Sequence, residues 1–457
     1  MSASGDGGRA VLLVVALSSF LTPFAASSFN LALPSMGREL MLDAAFLSWL
    51  ALSYLLASAV FLVPFGKLAD MAGRRRVFLH GTLIFTASSL LLAFTTSKFF
   101  LLPLRVLQGL GSAMLFGTGP AILVSSSPEG GRGRLLGLNV ASVYLGLSLG
   151  PSLGGFLTQR LGWRSIFLAN VILGLSIILL TLLWMRGEWR AAEGGSFDLL
   201  GSALYGLTLI LLIYGLSSMP SAHALPIIAG GGLSALFFLS WELRVGNPVL
   251  EVRLFRRNRV FALSNLAALL NYGATSAVSF LMSLYLQYPR GFDPQTSGLI
   301  LLSQPVVQAL FSPLAGAFSD RFEARMLASA GMGLTTLGLY LLTYLDEATP
   351  VEFVALDLMV LGLGFALFSS PNMNAVMGSV ERGFYGVASA VLGTMRLLGQ
   401  MLSMSIATTI LTAYIGGALI EPQIYPLLIQ GMRASNMVFS ILCLIGTIAS
   451  MVRGGSR

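Results

Sequence analysis

Fourteen stretches of roughly twenty residues carry almost no charge and follow one another with short connections from residue 11 to residue 452. A helix rises about 1.5 Å per residue, so about twenty apolar residues are what it needs to cross the hydrocarbon core of a bilayer. The stretches are 11–33, 44–66, 77–97, 99–124, 135–158, 165–185, 199–218, 224–241, 260–287, 296–318, 326–345, 353–378, 384–415 and 434–452. They predict an all-α integral membrane protein, because a spanning helix satisfies every backbone N–H and C=O internally where no water can. Composition agrees: 55% of the 457 residues are hydrophobic and 10% are charged, against about 25% charged in soluble domains. Polar side chains are too few to cover a soluble globule of this length. A soluble enzyme, a disordered chain and a secreted disulfide scaffold are thereby excluded. The apolar run after residues 1–9 exceeds a signal-peptide core and reads as a retained first span.

The stretch from Leu199 to Trp241 decides between twelve spans and fourteen. It holds no Asp, Glu, Lys or Arg and is broken only by the polar residues 217–223. A soluble central loop would not stay free of charge over that distance, so a membrane hairpin is expected. The net charge of +8 would suggest nucleic acid in a soluble chain, but no base-reading motif accompanies it. The positive-inside rule accounts for it instead: nineteen basic residues fall in alternate loops on the side of the termini, and six on the other side. Both termini are therefore expected in the cytoplasm. One cysteine, Cys443, allows no intramolecular disulfide, and His80 and His223 leave little for a metal site.

The chain repeats itself at an offset of about 250 residues. Gly66-Lys67-Leu68-Ala69-Asp70 recurs as Gly316-Ala317-Phe318-Ser319-Asp320, each pentapeptide at the same end of the second span of its half. Gly109-Leu110-Gly111-Ser112-Ala113 recurs as Gly362-Leu363-Gly364-Phe365-Ala366, followed by Pro120 and Pro371. This implies an N-terminal six-helix half (1–190), an inserted hairpin (191–250) and a C-terminal six-helix half (251–457). Parallel six-helix repeats are a transporter architecture with the site at the midplane between the halves.

The residues themselves carry a resemblance. The segment from Gly66 through Asp70 and Gly73 to Arg74, Arg75 and Arg76 resembles the loop signature of the major facilitator superfamily. Leu104-Arg105-Val106-Leu107-Gln108-Gly109 is similar to its fourth-helix motif, and Gly146-Leu147-Ser148-Leu149-Gly150-Pro151-Ser152-Leu153-Gly154-Gly155 to its fifth-helix antiporter motif. Phe197-Asp198-Leu199-Leu200-Gly201 and Leu250-Glu251-Val252-Arg253 resemble segments bordering the hairpin in the fourteen-helix drug:proton antiporter branch. The resemblance spans the whole chain. It implies multidrug-like efflux driven by an ion gradient, expected to be protons, without a cofactor, in a plasma (inner) membrane. Each chain would hold a complete cavity and work as a monomer.

The resemblance also implies a gate in which Gly66, Asp70, Gly73, Arg74 and Arg75, with Gly316, Asp320 and Arg321 in the second half, close the cytoplasmic face. An acid such as Asp70 can cap a helix N-terminus of the opposite half through free N–H groups and the dipole. Met71 stands where the family usually has Arg. Gly146, Gly150 and Gly154 fall four apart and form a small-residue stripe for close packing, with Gly155 beside them, and Pro151 bends the helix into a pivot. Gly146-Leu147-Ser148-Leu149-Gly150 formally matches a nucleophile elbow, but no strand precedes it and no histidine partner is evident.

Ionisable residues inside spans are costly and are functional candidates by default. Three stand out: Arg105 and Asp357, each about 10 Å below the outer boundary by helical rise, and Arg396 near mid-span. Gln108 lies three residues from Arg105 and Gln400 four from Arg396, so each shares a helix face with its arginine. With Asn30 these six are the candidate cavity and coupling residues; Asn271, Gln304, Gln308, Asn372 and Asn374 are further amide candidates. Aligned on Asn30 and Pro34, the position of the branch's usual first-span aspartate holds Ala25. Proton coupling must then use Asp357, Asp70 or the cargo, and a cavity without that acid favours anionic or neutral amphipathic cargo. The leading expectation is a secondary active exporter of small amphipathic molecules. The alternative is a proton-independent facilitator or organic-anion exchanger, and a receptor or scaffold gains nothing from charges inside its spans. No enzyme constellation and no phosphate-binding G-x-x-x-x-G-K-[ST] loop is present in the sequence.

Overall fold

The computed structural model describes residues 5–453 apart from 127–131, 186, 190–196, 220, 247, 251, 320 and 381–384. The first six helices are α1 (Gly5–Leu40), α2 (Ala44–Ala72), α3 (Arg74–Phe94), α4 (Lys98–Ser126), α5 (Arg132–Leu161) and α6 (Arg164–Trp184). A hairpin follows, α7 (Leu199–Ser217) and α8 (Ala224–Glu242), then the short α9 (Arg253–Arg257). The second set is α10 (Arg259–Thr275), α11 (Val278–Gln287), α12 (Pro294–Leu301), α13 (Ser303–Ser319), α14 (Ala324–Leu341), α15 (Val351–Gly378), α16 (Tyr385–Ile415) and α17 (Tyr425–Val452). Among the described residues there is no strand. Among the described residues thirteen spans are long and apolar enough to cross a bilayer, with α10–α11 and α12–α13 each counting as one. The 30-residue α5 makes the fourteenth. Successive spans alternate in direction, so α1 begins and α17 finishes at one end, called the terminal end below; the other is the far end.

Polar residues set the helix starts. Asp43 caps α2 by accepting from the Phe46 N–H, Asn258 caps α10 from Phe261, and Asp293 caps α12 from Thr296, with Pro294 at the first helical position. Two expected continuous spans are broken. Between α10 and α11 the Ala277 N–H leaves the helical ladder and donates to Ser403 Oγ of α16 at 2.9 Å. α12 and α13 are parted at Leu302, and Pro305 in the first turn of α13 has no N–H to make the bond that would tie it to Leu301. The last span is longer than the apolar run 434–452, because Arg433 sits inside α17 and donates to the Leu345 carbonyl. That bond removes the penalty that made Arg433 read as a boundary.

The internal repeat is visible in the packing. α1 packs on α5, α2 on α4, α3 on α4, and α6 on both α1 and α3. The same pattern recurs as α10 on α16, α13 on α15, α14 on α15, and α17 on both α10 and α14. The recurring glycines explain it. On α4, a Cβ at Gly109 would strike the Tyr54 carbonyl of α2, and one at Gly111 would lie 2.6 Å from the Phe85 nitrogen of α3. On α15, Gly362 meets the Gln304 carbonyl of α13 in the same way, and Gly364 would meet Thr335 Oγ1 of α14 at 2.5 Å. Each half therefore wedges one helix between two neighbours with paired glycines on opposite faces.

The halves meet through α5 on α12, α2 on α16 and α1 on α11. The hairpin lies beside the α2–α16 seam. Tyr205 of α7 donates to the Ala59 carbonyl of α2, while Ser217 bonds Ser405, and Thr409 donates to the Leu216 carbonyl, on the α16 side. α8 is peripheral: 22% of its apolar window is buried, against 67% for α2. Leu225, Leu233, Leu236 and Phe237 of α8 face outward, where lipid would cover them.

Candidate functional site

A cavity of about 220 Å³ lies between the halves, lined from α1, α2, α4 and α5 on one side and α10, α13, α15 and α16 on the other. Asn30, Arg105, Arg396 and Gln400 all line it, as do Gln304 and Gln308. Its apolar wall includes Leu55, Leu62, Phe116, Leu147, Phe365 and Met404. Among the described lining residues there is no Asp or Glu.

The far end of the cavity is closed by bonds between the halves. Ser283 Oγ donates to the Asn30 carbonyl at 2.7 Å, Gln287 Nε2 to the Leu31 carbonyl at 3.2 Å, and Arg38 Nη2 to the Gln287 carbonyl at 2.6 Å. Tyr288 donates to the Pro34 carbonyl at 3.3 Å and lies under the Arg38 guanidinium. Burial pushes the Tyr288 phenol up to about 12, so it stays a neutral donor at ordinary pH. Beside it α5 and α12 touch backbone to backbone: a Cβ at Gly155 would strike the Pro294 carbonyl, and one at Gly298 the Pro151 carbonyl. Asp293, at the head of α12, is held below the usual carboxylate range by the Thr296 hydroxyl and backbone N–H.

The terminal end is different. A Cβ at Gly66 would meet nothing within 4 Å, and one at Gly316 would meet only Ser370 of its own half, at 3.8 Å. Among the described residues Asp70 makes no bond to the other half. It accepts from Arg74, Nε at 2.8 Å and Nη2 at 2.7 Å, and Arg74 in turn bonds the Ala121 carbonyl and Ser125 on α4. Its cation is the one a turn away, and the expected cross-half cap is unmade among the described residues. Gly73 adopts φ +115°, which favours glycine. Asp320 lies outside the described residues; Arg321 lines a second recess of about 540 Å³ with Ser319 and Asn374 at the terminal end of the second half.

One acid at this end had no signal in the sequence. Glu188, just after α6, accepts from the Arg75 N–H at 2.8 Å and lies 3.7 Å from Arg76, and the Trp189 carbonyl accepts from the Arg74 N–H. It caps α3 and ties the Gly66–Arg76 loop to its own half. The motif alone gives no hint of it, because the carboxylate comes from more than a hundred residues away.

Several residues expected at the cavity lie elsewhere. Gln108 does not line the cavity: it is buried, accepting from Arg105 Nη1 at 2.6 Å and donating to Ser89 Oγ of α3 at 2.8 Å. Asp357 also lies off the cavity, buried on the α14 side of α15, where Oδ1 is 3.4 Å from the position of a Cβ on Gly338. Neither of its oxygens has a hydrogen-bond partner. Ala25, the position of the branch's usual aspartate, packs in an apolar cluster with Leu21, Tyr54 and Phe85, while Thr22, Pro23, Ala26 and Ser27 of that part of α1 line the cavity. Of the amides, Asn271, Asn372 and Asn374 are likewise off the cavity; Asn372 accepts from Arg453 Nη1 at 2.8 Å.

The glycine stripe of α5 packs on α1. A Cβ at Gly146 would strike the Phe20 carbonyl, one at Gly150 would lie 2.6 Å from Ser27 Cβ, and one at Gly154 would lie 2.6 Å from Ser28 Cβ. Gly155 and Pro151 face the other half instead, so one helix segment serves both contacts. Among the described residues no three His, Cys, Asp or Glu side chains cluster as metal ligands.

The sequence matches the family model for the Major Facilitator Superfamily twice, over residues 15–264 and 264–454. It is 26% identical over 445 residues to the riboflavin transporter RibZ of Clostridioides difficile, covering 96% of this chain and 96% of that protein. It is 30% identical over 419 residues to the multidrug resistance protein Stp of Mycobacterium tuberculosis, covering 90% of this chain and 77% of that protein. Among solved structures, a bacterial homolog of the human lysosomal transporter Spinster, in an inward-facing and unoccupied conformation, superimposes with a TM-score of 0.69 at 17% identity. That likeness covers 99% of this chain and 98% of the other, and it is one of fold. The double match falls on the two packing repeats, and the cavity lies between them: the chain belongs to the major facilitator superfamily and is a multi-pass membrane transporter.

Proposed function

We propose that this protein is a secondary active exporter of small amphipathic molecules, working by alternating access in a plasma membrane with both termini cytoplasmic. One observation carries this reading: a cavity with polar groups on an apolar wall, tightly closed at the far end and loose at the terminal end. Nineteen basic residues on the terminal side support a cytoplasmic terminal end, so the state described opens inward. The relative named as a multidrug resistance protein supports export. Cargo would enter from the cytoplasm or inner leaflet, and rocking of the halves about the α5–α12 contact would expose it outside.

Coupling to protons is assigned to Asp357, which is buried inside a span with no hydrogen bond and no ion pair among the described residues. A carboxyl group so placed is costly to leave charged and unpaired, and movement of α14 against α15 would change its access to water. A second reading is favoured by the absence of any acid among the described cavity-lining residues: exchange of an organic anion without protons.

Everted vesicles from a host lacking its own efflux pumps separate the two. With an imposed proton gradient, addition of cargo is expected to release protons in the wild type, and Asp357→Asn is expected to abolish that release while leaving counterflow of labelled cargo. Proton release persisting in Asp357→Asn would overturn the assignment. Labelled cargo crossing with no proton movement in either protein would favour a proton-independent facilitator or organic-anion exchanger.

A further inference from the structure

Two arginines line the cavity, and they are in different condition. Arg105 is 2% exposed; its Nε donates to the Leu50 carbonyl at 3.0 Å and its Nη1 to Gln108. Its guanidinium lies 3.8 Å from the Phe29 ring centroid and 4.6 Å from that of Tyr54. It is held on every side and acts as a brace between α4, α2 and α1. Arg396 is half-buried on α16 and has no hydrogen bond and no ion pair among the described residues. Its guanidinium lies over the Tyr272 ring, 5.3 Å from the centroid.

Building on the transport reading above, we propose that Arg396 takes the anionic group of the cargo, and that the cargo class is a small aromatic organic anion. A guanidinium presents a planar fork of donors that matches a carboxylate, sulfonate or phosphate. Here the whole fork is unused and faces a cavity whose described lining contains no carboxylate to neutralise it. Leaving such a cation unpaired inside a span is unfavourable, and an entering anion removes that penalty. The second half of the site is aromatic. Tyr272, under Arg396, meets Phe365 edge-on at 5.2 Å and 74°, and both rings line the same cavity. Gln400, one turn along α16 from Arg396, also lines it and offers an amide beside the cation. A flat ring carrying an acidic group would lie against Tyr272 and Phe365 with its charge on Arg396. A lipophilic cation of the same shape would meet the guanidinium with like charge.

The test uses two permanently charged probes of one shape, 1-naphthalenesulfonate and (1-naphthylmethyl)trimethylammonium, with the purified full-length protein. Binding is measured by equilibrium dialysis and translocation by uptake into proteoliposomes. The sulfonate is expected to bind at least tenfold more tightly than the ammonium. Arg396→Gln is expected to weaken sulfonate binding at least tenfold while leaving ammonium binding unchanged or stronger, and Arg396→Lys to lie between. Arg396→Lys, which keeps the charge and the cavity volume, guards against simple misfolding. Equal binding of the two probes, no sulfonate binding, or sulfonate binding undiminished in Arg396→Gln would each overturn the proposal. Arg396-dependent sulfonate binding without translocation would sustain it while contradicting export; translocation of the ammonium with no sulfonate binding would do the reverse.

Discussion

Arg105 and Arg396 occupy the same cavity, yet their surroundings assign them opposite work. Sequence reading marks both, because a charge inside an apolar span is conspicuous, and it also places Gln108 on the face of Arg105. It does not reveal that Gln108 turns away to Ser89 and spends its carbonyl on the arginine. Three helical residues in a row face three directions, and which direction is a cavity depends on helices far along the chain. Asp357 is misread for the same reason. The Arg105–Gln108 bond yields a prediction at this scale. Gln108→Leu leaves Arg105 Nη1 buried without its acceptor, at a cost of about 1–3 kcal/mol, so the thermal unfolding midpoint in detergent falls while 1-naphthalenesulfonate binding at Arg396 is unchanged. An unaltered midpoint would mean that the bond is dispensable.

At the scale of elements the sequence was far more legible. Span lengths follow from apolar runs, and the twin motifs Gly109-Leu110-Gly111 and Gly362-Leu363-Gly364 announce one packing arrangement used twice. The breaks at Ser276–Ala277 and before Ser303 were not legible, since the first depends on a hydroxyl from α16. The α5 segment shows how one motif serves two surfaces: Gly146, Gly150 and Gly154 admit α1, while Gly155 admits the first turn of α12. The second contact helps close the far end. Gly155→Leu has no space at the Pro294 carbonyl, so it is expected to part α5 from α12 and open that end. With Cys443→Ser as background, labelling of Ser279→Cys by an impermeant maleimide from the Arg38 side is expected to rise at least tenfold in Gly155→Leu. Unchanged labelling would show that the α5–α12 approach does not hold the closure.

For the whole molecule, two matching six-helix units sit around one cavity, with a hairpin bonded to α2 on one side and to α16 on the other. This arrangement has two closures that cannot both be made if the units move as rigid bodies: the bonded far end seen here, and the terminal-end contact that Gly66 and Asp70 leave unmade. In a transporter of this build these two closures alternate. Double electron–electron resonance tests it directly, with Cys443→Ser as background and spin labels on two pairs of exposed positions. One pair, Arg76→Cys and Phe322→Cys, spans the halves at the terminal end; the other, Leu161→Cys and Glu347→Cys, spans them at the far end. Comparing the protein with and without Gly155→Leu needs no knowledge of the cargo. A reciprocal change is expected, with the far-end distance lengthening as the terminal-end distance shortens. Both distances moving the same way, or the far end opening while the terminal end stays as it is, would contradict it.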